Sequence, residues 1–113
     1  MANTPTFKEF TTPILKFKVA EHLIAEKDIY VTISDGFDDE KDLVFRSGDP
    51  ALVITEQGED TYFDLTLTQE QTAAFGNGTI VALDVNWMDG SIRHATNDIY
   101  YKVTRNLLKR ILP

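Results

Sequence analysis

The chain has no cysteine among its 113 residues, only two histidines and one tryptophan. The missing cysteines exclude a disulfide framework, a thiol nucleophile and any cysteine-based zinc site. They fit a reducing compartment, a weak constraint on location. Long apolar runs are missing too: nothing approaches the roughly 18 residues that a bilayer-spanning helix needs. Residues 1–12 lack a charged start followed by an apolar stretch, so no signal peptide is expected. The phosphate-cradling glycine loop, the dinucleotide glycine motif and the zinc-protease histidine motif are likewise absent.

Positive charge is scarce: 11 Lys and Arg stand against 18 Asp and Glu, for a net −7. The imbalance is uneven. Residues 28–70 hold 12 acidic and 2 basic side chains, a net −10, whereas residues 91–113 hold 1 acidic and 5 basic, a net +4. The overall sign disfavours nucleic-acid binding, whose affinity comes mainly from neutralising phosphates. The split would allow copies to stack head to tail, acidic part against basic part, although two merely solvated ends are the plainer reading.

What is present is a 42% hydrophobic fraction, sufficient for one soluble domain with a single core. Residues 1–12 are polar and marked by Pro5, so they read as a flexible N-terminal arm, with a single domain over 13–113. Period-two alternation then predicts strands. Leu15, Phe17 and Val19 face one way in residues 13–19. In residues 28–34, the clearest strand, Ile29, Val31 and Ile33 do so. Residues 20–27 have helical composition but suit only a turn of helix or a 3₁₀ connection. Residues 35–42 are an acidic loop. Residues 43–46 and 51–55 make short strands, separated by the turn Ser47-Gly48-Asp49-Pro50.

In residues 61–67 the alternation of Phe63 and Leu65 with Tyr62 and Asp64 gives way at Thr68. Thr68-Gln69-Glu70-Gln71 is a capping box, which predicts a short helical turn over 68–75, ended by Gly76-Asn77-Gly78. Residues 79–88 are a long strand with Val81, Leu83, Val85 and Trp87 on its inner face, which assigns Trp87 to the core. Asp89-Gly90 signals a hairpin to residues 91–96. A last strand covers 99–103, and Thr104 caps a short C-terminal helix over 105–111. Seven to eight short strands with closely spaced turns predict a mostly β, antiparallel, immunoglobulin-like sandwich.

Catalysis needs a nucleophile, a base and a group that orients the base. His22 and His94 lie in no recognisable motif and read as solvent-facing or packing residues, so no catalytic residue and no cofactor is expected. Asp35, Asp38, Asp39, Glu40 and Asp42 supply the hard oxygens that calcium prefers, but their spacing does not follow the EF-hand loop, and a solvated loop is the plainer reading. Asn77-Gly78-Thr79 fits a glycosylation acceptor and, more simply, a turn. Tyr62, Tyr100 and Tyr101, which suit either outward interface positions or cross-strand pairs within the sheet, and the basic Lys102, Arg105, Lys109 and Arg110 are the candidate interface residues.

The segments Asp28-Ile29-Tyr30-Val31-Thr32-Ile33-Ser34, Leu67-Thr68-Gln69-Glu70-Gln71-Thr72 with Phe75 and Gly78, and Asn86-Trp87-Met88-Asp89-Gly90-Ser91 carry a resemblance. On them the chain resembles a group of small, largely uncharacterised proteins encoded by phages and prophages of Gram-positive gut bacteria. The likeness covers most of the chain after about residue 12, and the acidic stretch 35–60 is where it departs most. It implies an immunoglobulin-like virion component of the tail, baseplate or head–tail region. Such a component is made in the host cytoplasm and partnered by other virion proteins or copies of itself in a homo-oligomer, not by nucleic acid or membrane. It implies no catalytic residues. Two other functions remain open: an acidic inhibitor that imitates nucleic acid toward a host defence protein, and a carbohydrate- or receptor-binding module stacking ligands on Trp87 or the tyrosines.

Overall fold

The computed structural model describes residues 4–23, 28–37 and 39–113. Within them the chain runs β1 (Thr6–Lys8), β2 (Ile14–Val19), β3 (Ile29–Ser34), a 3₁₀ turn (Asp39–Lys41), β4 (Leu43–Arg46), β5 (Leu52–Gln57), β6 (Asp60–Thr66), α1 (Gln69–Phe75), β7 (Ile80–Asp89), β8 (Ile92–Ala95) and β9 (Ile99–Thr104). Residues 24–27, part of the connector expected to form a turn, lie outside the described residues.

The strands form two sheets. The larger has the order β1-β9-β7-β3-β4, with β8 also on β7, and the smaller has the order β2-β6-β5. The chain crosses between them at β1–β2, β2–β3, β4–β5 and β6–β7, and the two sheets make a β-sandwich-like domain. The fold is mostly β, as the alternation predicts. Inward positions of facing strands make one core. Ile29, Val31 and Ile33 of β3 lie beside Val81, Leu83 and Val85 of β7, and all six are buried. Phe63 and Leu65 of β6 close it from the other sheet, and Phe63 stacks on Phe17 at 5.0 Å between ring centroids.

The capping box forms as expected. The Gln71 N–H donates to Thr68 Oγ1 at 3.2 Å, and the Thr68 N–H donates to Gln71 Oε1 at 2.9 Å. Buried Thr72 then ties the helix to the β1–β2 connection. Its hydroxyl accepts from the Thr11 N–H at 3.1 Å and donates to the Thr11 carbonyl at 3.0 Å.

The larger sheet contains a bulge. Asn86 pairs with Ala95 and Leu83 with Ile99, so two residues of β7 face three of the returning chain. β8 and β9 are therefore one strand interrupted by a single extra residue. The hairpin loop itself is Gly90-Ser91, closed by the Asp89–Ile92 pair, one residue later than expected. Gly90 has φ 63° and Ser91 has no positive φ, the pattern of a turn with glycine in its first central position.

Four expectations are corrected. Of the arm expected over residues 1–12, residues 6–9 belong to the domain. β1 pairs parallel with β9, Phe7 is buried against Tyr101, and Glu9 is buried too. Parallel pairing of chain ends leaves no local signal, and a three-residue strand is too short to show alternation. The C-terminal helix does not form. Thr104 ends β9, donating its hydroxyl to the Phe7 carbonyl at 3.3 Å, and residues 105–113 are irregular. A helix that short is marginal without an apolar stripe to bury, and Leu107, Leu108 and Ile111 are exposed. Tyr101 points inward opposite Val81 and is buried, because neighbours on a strand occupy opposite faces and Tyr100 takes the outer one. Trp87 has the expected orientation and packs against the core opposite buried Ile29, but it is only half-buried and stacks on His94 at 5.4 Å.

Candidate interaction face

The outward positions of β3, β4, β7 and β8 build a shallow depression of about 340 Å³ on the larger sheet, lined by Tyr30, Thr32, Val44, Asn86, Met88 and Arg93 with the Trp87 edge. The register places them together: Thr32 faces Val44, Tyr30 faces Asn86, and Met88 faces Arg93. Val44 is 60% exposed and Met88 43%. On the same outward face, Ile80 and Tyr100 are more than half exposed. Large aliphatic and aromatic groups thus share one side of one sheet.

Polar groups at the rim are held in place. Arg93 Nε donates to Asn86 Oδ1 at 3.1 Å, and Asn86 Nδ2 donates to Asp84 Oδ1 at 3.1 Å. Desolvation by burial, with Asp98 nearby, raises the Asp84 carboxyl above its usual value, against the opposing influence of Arg93 and Asn86. Across the depression Arg46 lies over the Tyr30 ring, 5.6 Å from its centroid, and donates from Nη2 to Asp28 Oδ1 at 2.6 Å. That hydrogen bond, then the Asp28 charge, raises the guanidinium pKa further.

A second hollow of about 350 Å³ opens beside the first, where Trp87 and Met88 border His22, His94, Glu21 and Asp89. The two histidines, 72 positions apart in sequence, meet here, which nothing local in the chain signals. His22 Nδ1 lies 3.2 Å from the Gly58 carbonyl and His94 stacks on Trp87, so each ring is engaged by backbone or indole. His94 covers one face of the indole, leaving less of it for a sugar to stack on.

The remaining sequence candidates are dispersed. Tyr100 and Lys102 share the outer face of the larger sheet, while Tyr62 lies on the outer face of the smaller one, next to the Lys16–Asp64 and Lys18–Asp60 ion pairs. Arg105, Lys109 and Arg110 are exposed in the C-terminal segment, and Lys109 reaches the buried Glu9 at 3.5 Å. Of the calcium candidates, Asp38 and the Asp39 side chain lie outside the described residues. Asp35 Oδ1 accepts from the Phe37 N–H at 2.9 Å, a local turn bond. Among the described residues no group of three or more His, Cys, Asp or Glu side chains is placed to hold a metal ion. No protein-family model matches the chain, and no curated protein sequence matches it.

Proposed function

We propose that the chain is a virion structural or accessory protein, of the tail, baseplate or head–tail region, that works by protein–protein assembly. The outer face of the larger sheet is its contact surface. The observation that carries this reading is the exposed pair Val44 and Met88 beside half-buried Tyr30 in one depression of a hydrogen-bonded sheet, with Ile80 and Tyr100 exposed on the same face. A rigid sheet presents such groups at little entropic cost, and the arginines at its rim add polar specificity. The resemblance to phage-encoded proteins supplies the virion setting.

The acids give less support to nucleic-acid imitation. Asp64 and Asp60 are paired with Lys16 and Lys18 on the smaller sheet, and Asp28 with Arg46 on the larger. The carboxylates are thus divided between two sheets and partly neutralised. Mass spectrometry of purified particles tests the assembly reading. The protein is expected at a fixed stoichiometry, and its absence would overturn the proposal. A folded V44D/M88D double variant is expected to be lost from particles.

A further inference from the structure

The C-terminal segment, residues 105–113, is irregular yet held at two points. Buried Glu9 accepts from the Asn106 N–H at 3.4 Å and from Lys109 at 3.5 Å. Gln69 holds the far end: its Nε2 donates to the Leu112 carbonyl at 3.0 Å and its Oε1 accepts from the Leu112 N–H at 2.8 Å. Held this way, the segment turns Leu107 (83% exposed), Leu108, Ile111 and Leu112 to solvent, with Arg105 and Arg110 among them. Four exposed aliphatic side chains beside unburied cations need an apolar and acidic counterpart.

The same chain carries one. The loop between β3 and β4 presents Phe37, 95% exposed, between Asp35 on one side and exposed Glu40 on the other. The two surfaces stand at opposite margins of one sheet, since β1 and β9 form one margin and β4 the other. The outermost strands are roughly 19 Å apart at the usual strand spacing of about 4.8 Å. They also leave the sheet at the same end. β3 finishes at Ser34 opposite Ala82, and β9 finishes beyond the Ile80–Lys102 pair, both where β7 begins. Copies set side by side in one orientation bring the basic, aliphatic segment of one level with the acidic loop of the next.

We infer that residues 105–113 of one copy dock on the Phe37-bearing acidic loop of the neighbouring copy. This contact is heterologous, so it closes into a ring or continues as an open array. It rests on the assembly reading and names the surfaces through which copies of this chain join. Phe37 supplies the apolar anchor among the leucines, and the charges set orientation.

The test is mass in solution, by light scattering and sedimentation at low and moderate salt, on the full chain. The wild type is expected at a multiple of its 12.8 kDa monomer mass, falling as salt rises. R105E/R110E leaves the Lys109–Glu9 pair intact and is expected to be monomeric, as is E40K. Mixing these two variants pairs reversed segment with reversed loop and is expected to restore the large species. F37A, at a solvent-facing position, is expected to weaken association at least tenfold without affecting folding. An oligomer indifferent to all these changes would overturn this contact while leaving assembly by another surface standing. A wild type that stays monomeric at every concentration and salt would also overturn it, and particle mass spectrometry then decides the assembly reading separately.

Discussion

Thr96 and Val85 exchange two hydrogen bonds across the bulge between β8 and β9. The Thr96 N–H donates to the Val85 carbonyl at 3.0 Å, and the Val85 N–H donates to Thr96 Oγ1 at 3.0 Å. The extra residue removes a ladder partner from β7, and the threonine hydroxyl takes the place of the missing carbonyl. The larger sheet thereby keeps its pairing from the core out to the hairpin that carries Met88 and Arg93.

Thr96→Val is expected to leave the buried Val85 N–H without an acceptor, at a cost of about 1–3 kcal/mol. Thr96→Ser keeps the hydroxyl and is expected to stay close to wild type. Urea unfolding of the two variants measures the difference. Equal stability of Val and Ser at this position would show that the hydroxyl is dispensable.

The capping box makes a smaller contribution. Thr68→Ala removes the acceptor for the Gln71 N–H and is expected to cost about 1 kcal/mol, within the usual range of roughly 0.5–2. Because Thr72 and Phe75 anchor α1 in the core, the helix is expected to persist, with faster amide exchange confined to its first turn. Exchange spread over the whole helix would mean that the cap, not the buried face, holds it.

Features written in neighbouring residues were legible from the chain. Alternation placed β3 and β7 with the correct inner faces, and the Thr68–Gln71 box placed α1. Features written between distant residues were not. Phe7 carries almost the whole signal of β1, and its partner Val103 lies 96 positions away. Residues 105–111 have helical spacing, but the bonds from Glu9 and Gln69 hold an irregular path instead. Tyr100 and Tyr101 look alike in the sequence, but strand geometry allows only one of an adjacent pair to face outward, and that is Tyr100. The depression at Tyr30, Val44 and Met88 needs three strands brought into register, and none of the tyrosines and basic residues that stand out in the sequence lines it.

Phe63 is the largest of the fully buried side chains and stacks on half-buried Phe17 with an interplanar angle of 6°. Phe63→Ala is expected to cost about 3–5 kcal/mol, a large share of the roughly 5–15 kcal/mol that stabilises a domain. Phe17→Ala, on the edge strand β2, is expected to cost distinctly less, because part of its ring is already in water. Denaturant unfolding of both single variants and the double variant should give a coupling of about 0.5–1.5 kcal/mol between the rings.

Tyr101 ties stability to alkaline pH. Burial against Phe7 penalises the phenolate and raises the pKa above the usual 10.0. A group whose folded pKa is raised contributes stability that is complete below its unfolded value and is lost as pH rises through the folded value. The stability of the wild type is therefore expected to hold up to about pH 10 and to decline above it, with the β1–β9 margin opening first. Tyr101→Phe has no proton to lose and keeps the ring against Phe7, so its unfolding free energy should decline less over the same range. Denaturant midpoints between pH 8 and 11.5 compare the two, and parallel curves would place the alkaline loss at other groups.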